Sequence, residues 1–149
     1  MPTERPSLGA YPYQTSITTR WMDNDIYGHI NNVAYYSFFD TAANAYLITE
    51  GGLEPATASV IGLVVESHCQ YHVPLAYPSI LRAGVRVDKL GTRAVTYGIA
   101  IFEGRQTLAA AHGHFVHVFV DRKTRAPVAI PAPIRAALEK LTPPGAALE

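Results

Sequence analysis

Cysteine is almost missing from this chain. Cys69 stands alone among 149 residues, which excludes an internal disulfide and a cysteine-built metal site and fits a reducing, cytoplasmic setting. Long apolar runs are missing too. No stretch reaches the length that spans a bilayer, so no membrane insertion is expected. The opening MPTERPSLGAYPYQ lacks the apolar centre of a secretory signal. Charge is sparse at 16% and balanced, with 12 Lys and Arg against 12 Asp and Glu. A neutral chain has no overall field to gather nucleic acid or an anionic membrane, so neither is expected as a partner. What is abundant is apolar material, 48% of the residues, enough for a core and too much for disorder. The length suits one domain over 1–149. Residues 1–12, with Pro2, Pro6, Gly9 and Pro12, read as an irregular lead, and 143–149 as a loose tail. A neutral, rather apolar small domain often covers surface by self-association.

Periodicity divides the rest. In 13–21, Tyr13, Thr15, Ile17, Thr19 and Trp21 alternate with polar residues, as in a half-buried strand. Residues 31–50 contain neither Gly nor Pro; Asn31 or Asn32 can cap their start and Gly51-Gly52 their end, so they read as a helix. Between Val33 and Ile48 only Asp40 is charged, which predicts a helix covered on most sides. Strands follow over 60–73, 80–90, 93–103 and 106–120, then a short amphipathic helix over 131–141. In 60–73, Ile61, Leu63, Val65, Cys69, Tyr71 and Val73 form one face, and Glu66, His68, Gln70 and His72 the other. The strand 106–120 is apolar on both faces and reads as central. Short turns predict antiparallel neighbours throughout. One greasy helix and one sheet must bury each other. The fold class is α+β, a curved antiparallel sheet wrapped around one long helix.

The densest polar chemistry, D-N-D-I-Y-G-H-I-N-N at 23–32, sits immediately before that helix. A helix start presents unpaired N–H groups and partial positive charge, so it can polarise a carbonyl. Gly28 permits a close backbone approach to a ligand. A nearby carboxylate can attack a carbonyl or take a proton from water. Capping alone would need one or two of these residues, and neither His29 nor Gly28.

W-M-D-N-D-I-Y-G-H-I-N-N-V-A-Y at 21–35 resembles the signature of hot-dog-fold thioesterases of the 4-hydroxybenzoyl-CoA thioesterase-like superfamily, in the branch reading D-x-D-x-x-G-H-x-N-N-x-x-Y. V-D-R-K-T-R-A-P-V-A-I-P at 120–131 resembles that family's last strand and exit turn. The resemblance implies hydrolysis of acyl-CoA or acyl-carrier-protein thioesters, with no metal and no cofactor beyond the CoA of the substrate. It also implies a homodimer or homotetramer with sites at the subunit interface. By position, the catalytic carboxylate falls on Asp25 and the polarising N–H at about Asn32, with His29 and Asn31 contributing. Tyr27 stands where a related plant motif has Asn, and Asp40-Thr41-Ala42 with Asn44 replaces a Glu-x-Ala-Arg run on the helix.

Tyr35 or Tyr36 could line an acyl pocket near the helix start. Lys89, Arg93, Arg122, Lys123 and Arg125 cluster at predicted turns, where the family often meets CoA phosphates. His112 and His114 share a strand face while His117 points the other way, too few ligands on one side for a metal. Glu66, His68, Gln70 and His72 read as a solvated or intersubunit face, or as groups reaching a neighbour's pocket. Two other functions remain open: a hot-dog dehydratase or hydratase, which normally carries an H-x-F-P-G-like context absent here, and a module that binds or senses acyl-CoA without turnover.

Overall fold

The computed structural model describes residues 4–142 and the backbone of 147–148. Its strands are β1 (Tyr13–Thr18), β2 (Val60–Tyr71), β3 (Ile80–Leu90), β4 (Ala94–Glu103) and β5 (Ala111–Asp121); its helices are α1 (Asn32–Thr49) and α2 (Ala132–Glu139). The strands pair antiparallel in the order β1-β3-β4-β5-β2. The sheet and α1 share the main core, the hot-dog arrangement.

Helix α1 starts where Asn31 Oδ1 accepts a hydrogen bond from the Val33 N–H at 3.2 Å. It ends where Gly52, at φ 71°, reverses the chain so that the Leu53 N–H returns to the Leu47 carbonyl. Between these caps Tyr35, Phe38, Phe39, Ala42, Ala43, Tyr46 and Leu47 are buried, the three-and-four spacing of one helix face. Each large side chain fully withdrawn from water contributes about 1.5–3 kcal/mol. The expected cover on most sides is not found in a single chain: Val33, Ser37, Asp40, Thr41 and Ile48 are exposed. Alanine, serine, threonine and asparagine leave the open face nearly uncharged without making it greasy. Asp40 itself holds Asn44, whose Nδ2 donates to its side chain at 3.1 Å.

Two expectations about the sheet are corrected. β2 and β3 are joined by a short connection yet are not neighbours; among the described residues β2 pairs only with β5, at the far edge. Residues 72–79 span the roughly 15 Å across three strand spacings easily. The second correction concerns the faces of β2. Its register slips between Val64 and Glu66, and the extra residue, Val65, reverses the alternation. Val60 packs on the core, as does Cys69 beyond the bulge, while Ile61 and Leu63 turn to the face of Glu66, His68 and Gln70. β5 lies between β4 and β2, an interior strand as its sequence implied.

The last segment of the predicted 13–21 strand leaves the sheet. Trp21–Asp23 forms a 3-10 turn, because Asp23 accepts from the Arg20 backbone N–H at 2.8 Å and from its guanidinium at 3.0 Å. The described lead is irregular but pinned: Leu8 N–H bonds Thr107 O, and buried Tyr11 lies against Gly84, where a Cβ would come within 2.7 Å of it. Of the predicted loose tail, 143–146 and 149 lie outside the described residues, while Ala147–Leu148 (β6) pairs parallel to Lys89–Leu90. Helix α2 lays Ile134, Ala137 and Leu138 on the core, and the Tyr46 hydroxyl donates to the Ala137 carbonyl at 2.5 Å.

Candidate functional site

The loop ahead of α1 is held by its own backbone. Asp25 N–H bonds His29 O at 2.9 Å, Gly28 N–H bonds Asp25 O at 3.1 Å, and Asn31 N–H bonds Asp23 O at 2.8 Å. Gly28 has φ 84°, the left-handed conformation that this tight turn requires and glycine adopts without strain. Asn24 Oδ1 accepts from Tyr77 N–H at 3.0 Å and ties the loop to the 72–79 crossing. The two carboxylates thus part company. Asp23 is 4% exposed and spent on Arg20. Asp25 is half-buried, with Oδ1 accepting from Tyr27 N–H at 2.8 Å.

At the helix start, Val33 N–H is capped by Asn31 and Ala34 N–H bonds Asn31 O at 2.9 Å. Asn32 N–H has no acceptor among the described residues. It opens beside a cleft of about 270 Å³ lined by His29, Ile30, Asn32, Tyr35, Tyr71, His72, Val73 and Pro74. Tyr71 closes one side, donating its hydroxyl to the Asn32 carbonyl at 3.1 Å and meeting Tyr35 edge-on at 5.0 Å. Burial pushes the Tyr35 phenol up to about 12. It also pushes the nearby Cys69 thiol up to about 11, which leaves no thiolate for nucleophilic work at neutral pH.

Asp25 borders a second, adjacent concavity of about 810 Å³ with Trp21, Met22, Asn24, Ile26 and Gly28. The surrounding apolar side chains are unusually open: Trp21 78%, Met22 74%, Ile26 94% and Tyr27 82%. Exposure on this scale gathers four large apolar side chains into one open patch around the loop. A single chain therefore brings Gly28, His29, Asn31, Asn32 and Tyr35 to one helix end and sets Asp25 beside them, facing a neighbouring hollow.

The basic turn residues lie elsewhere. β5 runs eleven residues from Ala111, opposite Tyr71, to Asp121, roughly 30 Å at about 3.3 Å per residue. Arg122, Lys123 and Arg125 follow Asp121, and Lys89 and Arg93 flank the start of β4 at that same end. Within one chain they do not meet the helix start, because antiparallel strands carry successive turns to opposite ends. Arg122 is in addition engaged by the loop after α1: its guanidinium donates to Ala58 O at 2.5 Å and to Pro55 O.

Sequence reasoning missed Tyr71 and the setting of His72. His72 Nε2 lies 2.8 Å from His112 Nδ1. His68 and His114 run nearly parallel beside them, with Glu66 3.6 Å from His114. His117 points into the core, as the alternation implied, and meets the Tyr97 hydroxyl at 3.1 Å. Among the described residues no three His, Cys, Asp or Glu side chains converge as a metal site, and no helix is long and apolar enough to cross a membrane.

The PA5185 protein of Pseudomonas aeruginosa is similar to this chain at 51% identity, with 94% of this chain and 98% of that one covered and a TM-score of 0.92. The PA2801 protein of the same species, described as a candidate thioesterase, is 26% identical over 86% and 98% of the two chains, with a TM-score of 0.78. A 1,4-dihydroxy-2-naphthoyl-CoA thioesterase from Synechocystis shares the fold at 14% identity, over 87% and 96%, with a TM-score of 0.77. No protein with a curated description matches significantly. The family model of the thioesterase-like superfamily matches residues 19–138, from the end of β1 through α2, and the chain belongs to that superfamily of hot-dog proteins.

Proposed function

We propose that this protein hydrolyses an acyl-CoA thioester to the free acid and CoA. The observation that carries the reading is the uncapped Asn32 N–H at the start of α1, opening on a cleft with Asp25 in the adjoining hollow. A thioester carbonyl placed against that N–H is polarised by the helix end, and the negative charge of the tetrahedral state gathers where the positive end lies. Asp25 then has two routes. Its free oxygen attacks the carbonyl carbon, the C–S bond breaks toward sulfur, and water hydrolyses the resulting anhydride. Otherwise Asp25 takes a proton from water, and the hydroxide attacks. His29 holds the loop and the substrate; Tyr35 and Tyr71 wall the acyl side. Neither route calls on a metal or on a cofactor beyond the CoA of the substrate, and a reducing cytoplasm suits the lone Cys69.

The reading includes a second copy of the chain. β2 is a free sheet edge with Val64, Val65 and Tyr71 exposed, which is a template for strand pairing. Antiparallel pairing of β2 about a twofold axis sets the partner's 122–125 turn beside this chain's Tyr71 end. Lys123, Arg125, Lys89 and Arg93 would then serve the CoA phosphates of the neighbouring site, and the open apolar loop around Asp25 would be covered.

Thiol release from acetyl-, octanoyl- and benzoyl-CoA tests the reading, with wild type against Asp25→Asn. Turnover of at least one thioester is expected, falling by at least about a hundredfold in the variant with the fold retained. A wild type that binds these thioesters without releasing thiol would be a binding module instead. Near-wild-type turnover by Asp25→Asn would remove Asp25 from the chemistry.

A further inference from the structure

Tyr71 ends β2 and is 45% exposed, yet it is held at three points. Its backbone pairs with buried Ala111 of β5. Its ring meets Tyr35 edge-on, with centroids 5.0 Å apart. Its hydroxyl donates to the Asn32 carbonyl at 3.1 Å. A phenylalanine would meet the packing alone. The hydroxyl adds a bond to the first residue of α1, the residue whose N–H has no acceptor among the described residues. Burial, then the nearby Cys69 and Tyr36, holds the phenol above its ordinary value, so the proton stays on the oxygen and the bond persists at neutral pH.

Asn32 is thereby tied on both sides. The peptide that carries its N–H has the Asn31 carbonyl at its other end, and that carbonyl accepts from the Ala34 N–H at 2.9 Å. The next peptide carries the Asn32 carbonyl, which Tyr71 holds. With both peptide planes fixed, the free N–H keeps one direction. The cleft beside it has buried Ile30 and Tyr35 as its floor and the Tyr71 ring as a wall. Behind that ring, the same face of β2 continues to Cys69, two residues back along the strand. The cleft of about 270 Å³ has room for about nine groups of roughly 30 Å³, a water's share of liquid volume. An octanoyl or benzoyl group fits that space and a lauroyl group does not.

We propose that Tyr71 determines acyl specificity and positions the polarising Asn32 N–H: its ring ends the pocket for a short-chain or single-ring acyl group, and its hydroxyl fixes the helix start. The proposal rests on the thioester-hydrolase reading and deepens it by naming the substrate class. A longer chain has to push the ring aside, and that movement breaks the bond to Asn32. One contact therefore both excludes long acyl groups and keeps the N–H aimed at the thioester oxygen. Tyr71 transfers no proton.

Thiol release from acetyl-, octanoyl-, benzoyl- and lauroyl-CoA tests this in wild type, Tyr71→Phe and Tyr71→Val, each first checked for a cooperative melt. Wild type should favour its best short or single-ring thioester over lauroyl-CoA by at least about tenfold in kcat/KM. Tyr71→Phe keeps the wall and loses the bond. Its kcat should fall about tenfold, the scale of one hydrogen bond, with KM within about twofold and the acyl preference unchanged. Tyr71→Val, a residue that suits a strand, loses both wall and bond; it should show the same fall in kcat on the short thioesters, and its relative kcat/KM for lauroyl-CoA should rise at least about tenfold. Wild type accepting lauroyl-CoA as readily as the shorter thioesters overturns the proposal. So does Tyr71→Phe with wild-type kcat, or Tyr71→Val with an unchanged preference. A wild type inactive on every thioester sinks the hydrolase reading and this proposal with it, whereas an active wild type with any of those results sinks the Tyr71 assignment alone.

Discussion

His117 makes acid sensitivity a local, measurable property of the core. It is 2% exposed, wedged beneath Gly62, where an added Cβ would lie 3.2 Å from its ring, and bonded to the buried Tyr97 hydroxyl. Burial drives its imidazole from the ordinary 6.5 down to about 4. The unfolded chain protonates near 6.5 and the native chain only near 4, so between those values the unfolded state binds more protons and stability falls as pH falls. Above 6.5 the group costs nothing; below about 4 its full penalty is present. That gap of about 2.5 units amounts to roughly 3 kcal/mol at about 1.4 kcal/mol per unit. His117→Gln removes the titration while retaining a side chain that can bond Tyr97. Urea unfolding measured from pH 7.5 to 4 should show wild type losing about 3 kcal/mol more than the variant, an order-of-magnitude figure. Parallel stability curves for the two proteins across that range would refute the reasoning and require the His117 proton to be accommodated in the native core.

Three further outcomes follow from particular contacts. Gly113→Ala would place a Cβ 1.7 Å from the His68 carbonyl oxygen; circular dichroism and thermal melting should show an edge pairing lost or a chain that no longer folds cooperatively. On the proposed reading, in which His29 takes no part in proton transfer, His29→Gln should cost no more than about tenfold in kcat, about 1.4 kcal/mol, since the loop bond runs from the Asp25 N–H to the His29 backbone carbonyl; steady-state thiol release measures it. Reversing charge in Lys123→Glu with Arg125→Glu should raise KM for acyl-CoA while leaving the acyl-pantetheine, which lacks the nucleotide phosphates, nearly unchanged. It should do so only in a dimer, which light scattering checks; equal effects on both substrates would move those residues away from CoA.

Local pattern was enough for much of this. Alternation revealed β1, β3 and β4 and the opposed faces of β5. The absence of Gly and Pro between Asn31 and Gly51 revealed α1 with its caps, and therefore that the polar decapeptide delivers its groups to a helix start. These features depend on residues within one or two turns of each other, and sequence records that range directly. The tertiary structure decided the rest. The bulge at Val65 reversed half of β2, because one extra residue changes every later side-chain direction. The crossing from β2 to β3 placed β2 at a free edge, a matter of sheet order that short turns do not encode. Asp23 and Asp25 look equivalent two positions apart, yet only folding buries one against Arg20 and leaves the other beside an open hollow. The basic turns proved to be a whole sheet length from the helix start. His72 and His112, 40 residues apart, meet only because β2 and β5 pair in one particular register. Periodicity tells which face of a strand a side chain takes, but which strand lies beside it is settled by how the whole sheet closes around its helix.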